Sequence, residues 1–260
     1  MAEEKKQKHF VLVHGLCHGA WCWYKLKPRL ESAGHRVTVL NLAASGINMK
    51  IIGQDVHTFH EYTKPLLAFL ASLNEQAIIV GHSFGGMGLA LAMELFPHKI
   101  SVAIFLTAYM PDTIHQPSYV IDKSLEASSE EDWQDSQIVT MGRPSEPLIV
   151  TTFGPKLLAS NFYQLSPVED LELAKTLVRP GSIFQHDLSK AKNFSEEGYG
   201  SVTRVFVVCD EEMAMNLEFQ RWMIQNNPPK DVMEIKGADH MAMLCKTKQV
   251  CDSILIRDCK

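Results

Sequence analysis

The sequence has no large excess of either charge, no long apolar run and no paired cysteine motif. Lys and Arg number 25 against 30 Asp and Glu, a net charge of −5 with the histidines neutral. That balance gives no electrostatic case for nucleic acid or an anionic membrane surface. No apolar stretch approaches the roughly 20 residues that span a bilayer. Six cysteines occur, Cys17, Cys22, Cys209, Cys245, Cys251 and Cys259, yet none forms a CxxC pair or a Cys/His zinc spacing. No metal is expected, and the thiols are expected to be free in a reducing compartment. Residues 1–8 are polar and lysine-rich, and the apolar run 10–13 is too short for a signal h-region and ends at His14. The expected setting is cytoplasmic. Neither an internal repeat nor a low-complexity tract is visible.

What the chain does have is alternation. Short apolar runs at 9–13, 36–40, 77–80, 102–106, 205–208 and 232–235 read as strands. Their continuous apolar character predicts burial on both faces, as in a parallel sheet. Amphipathic stretches at 24–33, 59–73, 87–96, 218–225 and 248–256 read as helices between and after them. Strand–helix alternation predicts an α/β fold with a doubly wound sheet. From about 111 to 185 the alternation stops. That stretch has many prolines, short polar segments and one amphipathic piece at 168–177. A compact domain rarely tolerates so long a loop without a function, so a mainly helical inserted cap is expected. The expected layout is a core of residues 1–110 and 186–260 with a cap of 111–185, in one structural domain.

Chemistry concentrates at Gly81-His82-Ser83-Phe84-Gly85, a G-x-S-x-G match. At this glycine and serine content the pattern arises by chance roughly 0.06 times. It also lies between a strand and a helix, the strand–turn–helix context the motif needs. Ser83 is therefore the expected nucleophile. Its hydroxyl needs a base, and 11 histidines compete. Chain order in such folds is nucleophile, acid, base. His98 and His115 come too early, and His186 falls in the cap region. His240 follows the last strand and is the expected base. The acid should follow strand 205–208, where Asp210, Glu211 and Glu212 stand in a row. Spacing does not choose between Asp210 and Glu212, and Glu211 points elsewhere if the chain is extended. The loop His14-Gly15-Leu16-Cys17-His18-Gly19 follows the first strand. It reads as the second half of an oxyanion hole, pairing the Leu16 N–H with that of Phe84.

These segments, with Trp23-Tyr24-Lys25-Leu26-Lys27-Pro28, Leu177-Val178-Arg179-Pro180-Gly181-Ser182 and Ala238-Asp239-His240-Met241, resemble the plant methylesterase family of α/β-hydrolases. That family also includes hydroxynitrile lyases. The resemblance runs through almost the whole chain. It implies an α/β-hydrolase core with a helical cap, no cofactor, and a small-molecule ester as substrate. It carries Ser83 and His240 over as triad members and Leu16 and Phe84 as oxyanion donors. It places the family's aspartate position on Glu212, a departure from the pattern, with Asp210 in reserve. Gly15, His82 and Met241 are expected at the substrate pocket. They stand where lyases resemble a Thr, Glu and Lys pattern, so they favour ester hydrolysis over carbon–carbon cleavage. A ligand-binding receptor with a weakened hydrolase site is a third reading. Segments 45–48, 99–102 and 168–175 look most like the polyneuridine aldehyde esterase branch, which implies an alkaloid methyl ester whose acid then loses CO2. Asn41 is given no role. The oligomeric state stays open, a homodimer among the options.

Overall fold

The computed structural model describes residues 7–256; Cys259 and residues 1–6 of the lysine-rich segment lie outside them. Six strands form one sheet: β1 (His9–Val13), β2 (Arg36–Leu40), β3 (Ala77–Ser83), β4 (Ile100–Ala108), and, after a long insertion, two more. In the insertion β5 (Gln137–Arg143) and β6 (Glu146–Thr152) make a separate antiparallel hairpin. The chain returns to the main sheet as β7 (Arg204–Cys209) and β8 (Asp231–Ile235). The order is β2-β1-β3-β4-β7-β8, with every neighbour parallel. Every residue of β1 and β3 is buried, as their unbroken apolar runs require.

The strand order reverses around β1. The chain goes outward to β2, then crosses back to lay β3 on the other side of β1. Such a switch point opens a crevice at the carboxyl ends of the two strands. Val13 at the end of β1 pairs with Gly81 near the end of β3. The loop carrying Gly15 and Leu16 therefore leaves the sheet beside the turn carrying Ser83.

Helices cover the sheet. The first long one, Phe59–Ser72, opens with a capping box in which Thr58 and Glu61 satisfy each other's backbone N–H groups. The next, Gly85–Leu95, starts within two residues of Ser83 and packs tightly on β1. A Cβ added at Gly85 would sit 2.7 Å from the His14 carbonyl oxygen and 2.8 Å from that of Val13. Only a glycine lets the helix start so close to the sheet.

The insertion holds helices, including Tyr119–Glu126 and Val168–Leu177, and in addition the β5–β6 hairpin, where the sequence predicts a mainly helical cap with no strand. The reason is physical. Most of β5 is exposed, so its strand lacks the apolar run that marks the others. Val168–Leu177 is tied to the core by Asp170, a buried carboxylate that accepts from Lys25 Nζ at 2.5 Å and Tyr24 Oη at 2.5 Å. At the far end of this helix the Arg179 guanidinium donates to the carbonyls of Gly46, Asn48 and Lys50.

Candidate active site

Ser83 is the last residue of β3 and has a φ of +53°. An L-residue enters that left-handed region only when its surroundings hold it there. Its carbonyl accepts from Tyr109 N–H at 3.1 Å, and Gly15 lies directly behind it. A Cβ at Gly15 would come within 2.8 Å of Ser83 Cβ. The strained turn presents the Ser83 side chain to a cavity at the switch point.

That cavity has a volume of about 290 Å³ and also receives His240, Leu16 and Phe84. The structure thus brings together four residues separated by up to 224 positions in the chain. Among the described residues, neither the Leu16 N–H nor the Phe84 N–H has a hydrogen-bond acceptor in the protein. Phe84 precedes the first turn of Gly85–Leu95, so its N–H also belongs to the positive end of that helix. Both residues line the same cavity as Ser83.

Behind the histidine, Glu212 Oε2 lies 2.5 Å from His240 Nδ1, with both side chains almost fully buried. The carboxylate has three further partners. Thr107 Oγ1–H donates to Oε2 at 2.9 Å, and the N–H groups of Ala214 and Met215 donate to Oε1 at 2.6 and 2.8 Å. Four donors on one buried carboxylate fix its orientation. A carboxylate acceptor at Nδ1 puts the proton there and leaves Nε2 free to accept, the tautomer a general base needs.

Asp210 goes elsewhere. Its Oδ1 accepts from Gly237 N–H at 2.6 Å, closing the turn after β8. Glu211 is exposed, and its carbonyl accepts from Gln164. His186 donates from Nε2 to the Ser145 carbonyl on the hairpin, away from Ser83.

Three residues expected at the substrate pocket do not line the cavity: Gly15, His82 and Met241. All are buried. Gly15 backs Ser83, as above. His82 alternates away from Ser83, because successive strand residues face opposite sides. Its Nε2–H donates to the His240 carbonyl at 2.8 Å, and its ring meets the His240 ring edge-on at 4.5 Å. Burial, and the nearby His240 imidazole, hold its basicity well below that of a free histidine, so it stays neutral. Met241 donates its N–H to Asp239.

Much of the rest of the cavity wall comes from the insertion and from the loop and helix after β7, with Leu125, Trp133, Asn161, Phe162, Met213 and Phe219 among its members. Phe162 meets the outer face of His240, ring centroids 4.5 Å apart. The sequence reading missed Thr107 and Phe162. Thr107 had one signal, a polar residue directly after the apolar run 102–106; in the structure its φ is +36°. Phe162 had none. Asn41, given no role, accepts from Ala20 N–H at 2.9 Å and packs where Gly46 leaves room. Among the described residues, no group of three His, Cys, Asp or Glu is arranged to hold a metal ion. No described helix is long and apolar enough to cross a membrane.

The family model for the alpha/beta hydrolase fold matches residues 8–247. Methylesterase 1 of Arabidopsis thaliana is 55% identical over 257 residues, which cover 98% of this chain and 97% of that one. Salicylic acid-binding protein 2 of Nicotiana tabacum is 53% identical over 253 residues, 96% of this chain and 97% of that one. The crystal structure of polyneuridine aldehyde esterase superposes with a TM-score of 0.93 at 49% identity, covering 96% of this chain and 99% of the other. With about half its residues shared along nearly its whole length, and with this sheet and crevice beneath them, the chain belongs to the plant methylesterase family of the α/β-hydrolase superfamily.

Proposed function

We propose that this protein hydrolyses the methyl ester of a small plant metabolite by a Ser83–His240–Glu212 triad. The observation that carries the reading is Glu212 Oε2 at 2.5 Å from His240 Nδ1 behind a cavity that His240 shares with Ser83. His240 Nε2 takes the proton of Ser83 as Oγ attacks the ester carbonyl carbon. The carbonyl oxygen becomes an oxyanion held by the Leu16 and Phe84 N–H groups. Collapse expels methanol, which receives the proton from His240, and leaves an acyl-enzyme on Ser83. Water then attacks the acyl carbon as His240 removes its proton. Ser83 leaves with that proton, and the carboxylic acid is released. Glu212 stabilises the imidazolium in both halves.

Among the described residues lining the cavity there is no Lys or Arg. A lyase that releases cyanide needs a cation beside the departing group, so this wall supports ester hydrolysis. The polyneuridine aldehyde esterase resemblance, at a TM-score of 0.93, supports an alkaloid methyl ester as the narrower substrate. An acid product β to a carbonyl would lose CO2 without further catalytic groups. The five described cysteines are free thiols, which supports a cytoplasmic setting.

The test is hydrolysis of alkaloid methyl esters beside methyl salicylate and methyl jasmonate. Wild-type protein is expected to release methanol from at least one, and Ser83→Ala to lose about 10⁴-fold or more in kcat. Unchanged turnover in Ser83→Ala removes the reading. Tight binding of the free acid with no turnover of any ester favours the receptor reading instead.

A further inference from the structure

The loop that supplies Leu16 is held by the insertion as much as by the core. Cys17 has a φ of +61°, a conformation a residue with a Cβ adopts under constraint. The constraint comes from across the crevice. Cys17 Sγ–H donates to the Thr151 carbonyl on β6 at 3.3 Å, and Arg179 N–H donates to the Cys17 carbonyl at 2.9 Å. Gly181 lies so close that a Cβ there would meet Leu16 Cδ1 at 2.8 Å.

A fourth link is directional. His18 Nδ1 is 2.8 Å from the Leu16 carbonyl, and its Nε2 is 2.8 Å from Tyr163 Oη. A carbonyl only accepts, so Nδ1 carries the proton, Nε2 accepts, and the tyrosine hydroxyl donates. Burial lowers the His18 pKa to about 3, which keeps a single ring proton on it. The ring is stacked with Trp21 at 5.2 Å and Tyr163 at 6.0 Å. His14 does the matching job from the core. Its Nδ1–H donates to the Gly15 carbonyl at 2.8 Å while its Nε2 accepts from Leu42 N–H at 3.1 Å. The peptide that bears the Leu16 N–H is thus set by His14, and the following peptide by His18. Tyr163 directly follows the π-turn Leu158–Phe162, which carries Asn161 and Phe162 to the cavity.

We infer that His18 is a positioning residue that ties the oxyanion loop to the insertion: Tyr163 seats against His18, His18 fixes the Leu16–Cys17 peptide, and that peptide holds Leu16 from its carboxyl side while His14 holds the Leu16 N–H from the core side. The inference rests on the esterase reading for its catalytic consequence. It says that the same segment that walls the cavity also completes the catalytic machinery. Substrates that seat the Leu158–Phe162 turn then gain in kcat, not only in affinity.

Tyr163→Phe removes one hydroxyl and keeps the stacked ring. With p-nitrophenyl acetate it is expected to lower kcat about tenfold and leave KM within about twofold. His18→Phe, which loses both links, is expected to lower kcat about 100-fold. His18→Asn keeps an N–H near the Leu16 carbonyl and should recover about tenfold of that loss. Affinity for a trifluoromethyl ketone, which captures a serine as a tetrahedral oxyanion, should fall by the same factors. Wild-type kcat and wild-type ketone affinity in Tyr163→Phe, or a loss confined to KM, would overturn the inference. If His18→Phe does not fold, Tyr163→Phe alone decides. If wild-type protein hydrolyses no ester, the esterase reading fails separately. Amide hydrogen exchange at residues 15–18 still tests the link in that case: faster exchange in Tyr163→Phe supports it, and unchanged exchange overturns it.

Discussion

At the scale of single residues, the decisive feature is which carboxylate reaches His240. Glu212 does, and its two oxygens have different duties. Oε1 accepts two backbone N–H groups, while Oε2 faces Thr107 and His240. Replacing it with glutamine should therefore have one outcome. The amide oxygen takes the Oε1 position, because Ala214 and Met215 supply only donors. The NH2 then faces His240 Nδ1, which must accept, so the ring proton moves to Nε2. A histidine in that tautomer does not take the Ser83 proton. Glu212→Gln is expected to lower kcat by about 10⁴-fold with the protein still folded. Asp210→Asn should stay within about threefold of wild type, because Asp210 closes a turn with Gly237. Steady-state kinetics and a thermal melt on the two variants check both statements. The reverse ranking would place the acid role on Asp210.

At the scale of elements, the join between helix Val168–Leu177 and the core turns on one buried charge. Asp170 is buried at the foot of the helix, whereas Lys25 keeps about a quarter of its side chain in water, at 27% exposure. The two partners are not equivalent. Removing the lysine strands a carboxylate with only the Tyr24 hydroxyl. Lys25→Met is expected to cost about 3 kcal/mol, the range for breaking a buried ion pair from one side. Urea unfolding of the variant against wild type measures it. A cost under about 1 kcal/mol would mean that the pair behaves as an exposed one. The same helix was legible in the sequence because its apolar residues recur at helical spacing. The ion pair was not, because Lys25 and Asp170 are 145 positions apart and no local pattern links them.

At the scale of the whole molecule, acid should loosen the fold through its buried histidines. Burial holds His14 at a pKa of about 4 and His18 at about 3, and pushes His82 down as well. In the unfolded chain each titrates near 6.5. Between pH 6.5 and 4 the unfolded chain therefore binds more protons than the folded one. Stability rises with pH through that window and is lost as pH falls. Each neutral histidine contributes a slope of about 1.4 kcal/mol per pH unit once the unfolded form is protonated. Thermal melts at pH 7.5, 6.0, 5.0 and 4.5 should show a falling midpoint below pH 6. A constant midpoint down to pH 4.5 would contradict the neutral assignment of these rings.

What the sequence determined by itself is what local physics can write into neighbouring residues. Unbroken apolar runs marked the buried parallel strands, and flanking glycines with a strand before and a helix after marked Ser83. Chain order then singled out His240, which lines the same cavity as Ser83. The tertiary structure decided the rest, for reasons of distance and direction. Asp210 and Glu212 are two residues apart, and only the path of the loop after β7 settles that Glu212 turns inward to Thr107, Ala214, Met215 and His240. Gly15, His82 and Met241 are close to the chemistry in sequence, yet the pleat and the packing bury them outside the cavity lining, much of which comes from the insertion and residues 213–219. The hairpin of that insertion is largely exposed, so no apolar run announced it. His18 carried no signal at all, since its role depends on a tyrosine 145 positions away that only folding brings to 2.8 Å.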